Sequence, residues 1–258
     1  MRFAMTLILL LAAPGMATAQ ATLSVLPGWT TDKGTQMAAF EITLDPGWKT
    51  YWRSPGDAGI PPRITWNGAD NLAGAQFHWP TPGVFEAGGR TIGYVDRLVL
   101  PVELSPKSNG QPMTAKGTLE IGVCEEICVP MSFRFDIAAP GQTADARITT
   151  ALGDVPPTRS GKAVGGLSCR FDALADGMQV QASLRNLPVA GLQAAVLEYR
   201  DREVWVGSAE VTRHGKGATL VSDFVPPEAT PFAIARDDIT ITLIGASDAL
   251  EIRGCPAG

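Results

Sequence analysis

Apolar and polar residues alternate with a period of two along most of this chain, as they do in half-buried β-strands. Gln36-Met-Ala-Ala-Phe-Glu-Ile-Thr-Leu44 alternates and stops at the turn Asp45-Pro46-Gly47. Trp48-Lys-Thr-Tyr-Trp52 follows, then the Pro/Gly-rich stretch Ser54 to Pro62, then Arg63-Ile-Thr-Trp66 closed by Asn67-Gly68, a turn pair. Gln76 to Trp79, Tyr94 to Leu104, Met113 to Ile121 and Met131 to Ile137 continue the pattern. Many short strands separated by turn residues predict an all-β sandwich. Ala138-Ala-Pro-Gly141 breaks the pattern, and Ala144 to Leu152 reads as one short helix. Strands resume at Leu167 to Phe171, Met178 to Leu184, Ala194 to Tyr199, Val204 to Val206, Ala218 to Val221 and Asp238 to Ile244. The expectation is two immunoglobulin-like β-sandwich domains in tandem: residues 20–138, a linker over 139–165, and residues 166–258. No sequence repeat relates the two halves.

The N-terminus changes the picture by assigning a compartment. Arg2 precedes the apolar run Phe3 to Ala13, and Ala17-Thr18-Ala19 offers a small-x-small cleavage site before Gln20. Residues 1–19 therefore read as a secretory signal peptide. The run is short beside the roughly 20 residues of a spanning helix. Nothing downstream is apolar for long enough to span a bilayer, so the mature chain is expected to be exported and without a membrane span. Twenty prolines and 28 glycines agree with many turns. A net charge of −5 and the lack of any basic cluster argue against nucleic acid or anionic lipid as a partner.

An exported chain can form disulfides, which directs attention to its four cysteines. Cys124 and Cys128 lie between two alternating runs. Residues four apart on a straight strand are roughly 13 Å apart, beyond the reach of a disulfide at about 7 Å. The two can bond only if Glu125-Glu126-Ile127 folds back as a turn or the stretch is a single helical turn; strands on both sides favour a hairpin. A bond closing so short a loop removes little entropy from the unfolded chain. Four accounts of the pair stand at this point. They are a plain structural disulfide, a metal site, a Cys-His nucleophile and a thiol–disulfide exchange centre. Zinc wants four ligands. The sequence has only His78 and His214, neither near the pair, although Met113 and Met131 could serve copper(I) as thioethers. No motif places a histidine beside either thiol. Cys169 opens the second domain and Cys255 follows its last expected strand, so a bond between them would staple both ends of a domain.

Four blocks then favour exchange. Gly47-Trp-Lys-Thr-Tyr51, Gly83-Val-Phe-Glu86, Ile92-Gly-Tyr-Val-Asp-Arg-Leu-Val-Leu-Pro-Val102 and Cys124…Cys128-Val-Pro130 resemble, in order and approximate spacing, the N-terminal periplasmic domain of DsbD-type thiol:disulfide interchange proteins. The resemblance spans about residues 22 to 138. It implies an immunoglobulin-like sandwich in the periplasm that relays electrons through one cysteine pair and uses no cofactor. The implied partners are a membrane-embedded thiol reductase of the DsbD/CcdA type and a periplasmic thioredoxin-fold protein. It also implies that Cys124 and Cys128 are the redox pair and that Cys128 forms the mixed disulfide. Tyr51 and Tyr94 match aromatic positions of the active-site neighbourhood, and Phe85, in the segment to Arg90, stands where a shielding loop begins.

The chain departs from the family in its three-residue spacer between the cysteines and in reading as a free-standing module. Its second β domain resembles that of longer, copper-tolerance-associated members. The alternative function is a non-catalytic periplasmic binding or copper(I)-handling module using the same sulfurs. Glu125 and Glu126 between the thiols point toward a donor, because nearby negative charge disfavours a thiolate and a poorly stabilised thiolate makes a better reductant. Cys128 is expected to be the more accessible sulfur, since Pro130 removes a ladder donor beside it.

Overall fold

The structure, a computed structural model, describes residues 20–86 and 89–257. The expected signal peptide lies outside the described residues. The first domain contains β1 (Ala21–Thr30), β2 (Gln36–Leu44), β3 (Lys49–Gly56), β4 (Arg63–Trp66) and β5 (Leu72–Phe77). It continues with β6 (Gly83–Glu86), β7 (Arg90–Val95), β8 (Arg97–Pro106), β9 (Ala115–Cys124) and β10 (Cys128–Ile137). One sheet has the order β1-β2-β8-β5; the other has β10-β9-β3-β7-β6, with β4 also pairing β9. Their inner faces enclose Phe40, Trp52, Leu100, Leu104 and Leu119, none more than 1% exposed. This is the immunoglobulin-like sandwich that the alternation predicts.

The run Tyr94 to Leu104 reads as one strand in sequence but is two. Asp96 has φ of 60°, a left-handed conformation that Asp adopts more readily than most residues. Its carbonyl accepts a 2.8 Å bond from the Leu44 amide. The chain thereby crosses from the sheet of β7 to that of β8 within one residue.

Helix α1 (Ala146–Gly153) follows, capped by Asp145, whose side chain accepts from the Arg147 amide at 2.8 Å. Ile148 packs with Leu26, Met37 and Ala39 on the outer face of the first sheet. That explains why β2 is buried on both faces despite its alternating pattern.

The second domain contains β11 (Thr158–Ser160), β12 (Leu167–Ala173), β13 (Met178–Leu184), β14 (Ala194–Tyr199) and β15 (Trp205–Val206). It closes with β16 (Glu210–His214), β17 (Gly217–Val225), β18 (Ile239–Ile244) and β19 (Ala249–Arg253). Sheets β11-β19-β18-β14 and β12-β13-β17-β15, with β16 on β17, form a second sandwich. Three of these strands escape the sequence reading. β11 is a polar three-residue strand that pairs in parallel with β19. β16 is exposed at four of five positions, and β19 follows a tight turn. The domains share apolar contact, because Ala194, Val196 and Ile244 belong to the core cluster of the first domain. Among the described residues, no helix is long and apolar enough to cross a membrane.

Candidate functional site

The β9–β10 hairpin places Cys124 opposite Cys128 in register and bonds them, with Cα atoms 4.1 Å apart. That separation suits the close, non-hydrogen-bonded type of antiparallel pair. Glu125-Glu126-Ile127 is the exposed turn, with the Glu125 side chain against Gly47. Cys124 is 1% exposed and Cys128 is exposed. The expected interruption at Pro130 does not occur, since the register runs unbroken through Pro130↔Gly122. Cys128 is open because β10 is the edge strand of its sheet, where proline is tolerated.

Tyr51 lies on this disulfide. Its hydroxyl is 2.8 Å from Cys124 Sγ and 3.3 Å from Cys128 Sγ. The placement follows from register: Lys49 pairs with Cys124, so Tyr51, two residues on, shares the outward face with it. Two glycines make room for the ring. A Cβ on Gly122 would stand 3.2 Å from Tyr51 Cδ2 and 2.7 Å from Ile60 Cβ, and one on Gly59 would stand 2.9 Å from Tyr51 Cδ1. The ring is therefore held between the β9 backbone and the segment 54–62. Burial pushes the Tyr51 hydroxyl above its ordinary value, which keeps it a neutral donor.

Tyr94 stands apart from the sulfurs. It pairs with Thr50, the neighbour of Tyr51, and so projects to the opposite face of the sheet, into the core. There its hydroxyl donates to the Pro80 carbonyl at 2.8 Å, and burial pushes its ionisation well above the ordinary tyrosine value. Because the folded state favours the neutral phenol, stability is full below about pH 10 and falls as pH rises through the unfolded value. Tyr94→Phe should lower stability by about 1–3 kcal/mol at neutral pH, leaving the Pro80 carbonyl unpaired. It should also flatten the decline above about pH 10, which urea titrations at stepped pH would read.

Phe85, on β6, lies on the same outward face as Tyr51, since Gly83 pairs with Gly93 and Gly93 with Tyr51. Its ring covers Gly83, with Lys49 Nζ 5.8 Å from the ring centroid. It thus approaches the disulfide through Lys49. Ala87 and Gly88 of the expected shielding loop lie outside the described residues. The segment that does cover Tyr51 is 54–62, through Gly59 and Ile60. In sequence it passes for an ordinary loop, and nothing local marks it, because Gly59 and Gly122, which flank the ring in space, are 63 residues apart along the chain.

Among the described residues, no group of three or more His, Cys, Asp or Glu side chains could hold a metal ion. Met113 and Met131 pack against the first core. Cys169 and Cys255 form a second disulfide, both buried, with Cα atoms 5.6 Å apart. A cleft of about 1020 Å³ lies between the domains, on the far side of segment 54–62, lined by Pro55, Gly59, β14 and Trp205.

Residues 18–140 match the family model "Thiol:disulfide interchange protein DsbD, N-terminal". Among solved structures, the N-terminal periplasmic domain of ScsB from Proteus mirabilis has the same fold. It shows 22% identity and a TM-score of 0.64, with 96% of this chain and 97% of that one covered. The Neisseria meningitidis DsbD N-terminal domain, in its reduced form, aligns at 20% identity and a TM-score of 0.29 over 46% of this chain and 86% of that one. No curated protein matches the chain. The match spans the whole of the first sandwich, so residues 18–140 are a domain of the DsbD N-terminal family.

Proposed function

We propose that the first domain is a periplasmic thiol:disulfide interchange module that passes two electrons between partner proteins through Cys124 and Cys128. The observation that carries this reading is one exposed and one buried sulfur, bonded at a hairpin tip under a neutral tyrosine hydroxyl. In the donating direction, the Cys128 thiolate attacks a partner disulfide. A Cys128–partner bond forms, and the partner's second sulfur leaves as a thiolate and takes up a proton. The Cys124 thiolate then attacks Cys128 Sγ, closing the internal disulfide and releasing the partner's first sulfur. The partner gains two electrons and two protons. In the reverse direction a partner thiolate attacks Cys128, and Cys124 leaves with the electron pair. Tyr51 donates to Cys124 Sγ in both directions, stabilising the buried thiolate as it forms.

The surroundings suit docking. Ile127 is 74% exposed, Val95 45% and Ile60 38%, three of the four large apolar side chains most exposed among the described residues. Ile127 adjoins Cys128, Ile60 borders Tyr51, and Val95 shares a cross-strand row with Lys49 and Cys124. Apolar surface gathered at one site marks a place where another protein sits. On the family's pattern that protein is a periplasmic thioredoxin-fold partner on one side of the relay and a membrane-embedded DsbD/CcdA-type reductase on the other.

The test is equilibration in glutathione buffers of graded ratio, with alkylation of free thiols. The pair should titrate above about −300 mV, within reach of thioredoxin-fold partners. A potential below that value would make the bond structural and sink the proposal.

A further inference from the structure

Strand β3 leaves its sheet next to the disulfide. Its pairing with β9 ends at Thr50↔Val123, and its pairing with β7 ends at Tyr51↔Gly93 and resumes only at Gly56↔Thr91. Among the described residues, 52–55 have no ladder partner on either side. This unsupported stretch is the stem of segment 54–62, which returns over the Tyr51 ring. Between Tyr51 and Gly56 the chain's position therefore depends on side chains, and backbone ties resume only at Gly56 and at the Asp57 amide, which donates to the Arg90 carbonyl at 3.1 Å.

Arg53 supplies the anchor, and its partners belong to the other domain. Its Nε donates to Glu198 Oε1 at 2.9 Å, and its Nη2 donates to Glu198 Oε2 at 2.8 Å and Glu251 Oε2 at 2.9 Å. Glu198 lies on β14 and Glu251 on β19. The guanidinium also stacks on Trp52, with Cζ 4.2 Å from the ring. Burial pulls its ionisation down, but the bonds and charge of Glu198, then Glu251, push it above the ordinary value. A planar guanidinium bonded in this way fixes orientation as well as distance. Glu251 is itself braced by Thr158 and Arg253.

We infer that Arg53 is a positioning residue for the redox site, and that the second domain, through Glu198 and Glu251, holds Tyr51 on the Cys124–Cys128 sulfurs. The inference rests on the exchange reading above. When a reductant thiolate attacks the exposed Cys128 Sγ, the S–S bond breaks and its electron pair stays on Cys124, the sulfur that Tyr51 bonds. Loosening the stem withdraws that hydroxyl, so the thiolate leaves less readily. Cys128 is already exposed, so uncovering it further gains little.

The experiment is the rate of disulfide reduction by dithiothreitol at pH 7.5 and 25 °C, in the full chain and in variants at three positions, Tyr51, Arg53 and Glu198. Tyr51→Phe should slow reduction about tenfold, the scale of one hydrogen bond to a charged group. Arg53→Met should slow it at least about threefold and Arg53→Lys less, because an ammonium keeps the charge but not the fork. The Arg53→Met, Tyr51→Phe double variant should react no more slowly than Tyr51→Phe alone, since one effect acts through the other. Glu198→Gln, which keeps the volume, should repeat the Arg53→Met effect more weakly and stands in if Arg53→Met does not fold. Full multiplication of the two effects in the double variant would overturn the inference. So would wild-type rates for Arg53→Met and Glu198→Gln, or for Tyr51→Phe. None of these rates depends on the equilibrium potential, so a failed exchange reading is recognised separately.

Discussion

A Cys124→Ala protein is expected to accumulate a mixed disulfide with a thioredoxin-fold partner, and a Cys128→Ala protein at least about tenfold less. The asymmetry follows from burial. Cys124 is 1% exposed and ends an internal strand, whereas Cys128 opens an edge strand and is exposed. An attacking thiol needs a nearly linear approach to the sulfur it displaces, and access is one of the factors that set exchange rates. With Cys128 alone the mixed disulfide persists, because the resolving thiol is gone. With Cys124 alone, the partner would have to displace Tyr51 and its cover. Mass spectrometry of trapped complexes after incubation with an oxidised thioredoxin-fold protein reads the difference. Equal trapping through both cysteines, or more through Cys124, would mean that the short spacer re-aims the pair in solution.

Replacing Cys169 and Cys255 together by Ala is expected to cost about 3–5 kcal/mol, the chain-entropy value for so long a loop. The bond joins residues 86 apart in sequence, one on the first long strand of the second sandwich and one just after its last. Arg236 reinforces the junction, its Nη1 donating to the carbonyls of both Cys169 and Cys255 at 3.0 Å. Both sulfurs are buried in the second core, away from the hairpin that carries the other pair. Calorimetry should therefore show a lower melting temperature, while the Cys124–Cys128 pair, assayed well below it, exchanges within about twofold of the parent rate. An unchanged melting curve with exchange abolished would reverse the two assignments.

The two bonds contrast in what they constrain. The long loop removes much freedom from the unfolded chain, so its closure stabilises. The short one removes little, so its presence at an exposed tip is better explained by chemistry than by stability.

Local information was enough for much of this protein. Strict alternation marks strands because side chains on a strand point to opposite faces, and that rule holds wherever one face is buried. It found β2, β9, β10, β13 and β18, and with them the two-sandwich fold. The spacing of Cys124 and Cys128 allowed few geometries, and the alternating flanks selected the hairpin. Where burial does not alternate, the pattern is silent: β11 and β16 are largely exposed and pass for loop. The identity of Asp96 does not announce that one apolar run divides between two sheets.

Only the tertiary structure decided which aromatic meets the sulfurs. Tyr51 and Tyr94 lie on adjacent strands and look equivalent in sequence. The register Thr50↔Tyr94 sends them to opposite faces, one to the disulfide and the other to the core. Register depends on pairing between distant segments, and a shift of one residue would bring Tyr51 opposite Tyr94 and set both on one face. The same holds for Arg53, an unremarked arginine before a Pro/Gly stretch. It becomes an anchor because the two glutamates it meets, 145 and 198 residues away, are brought to it by the packing of one domain on the other.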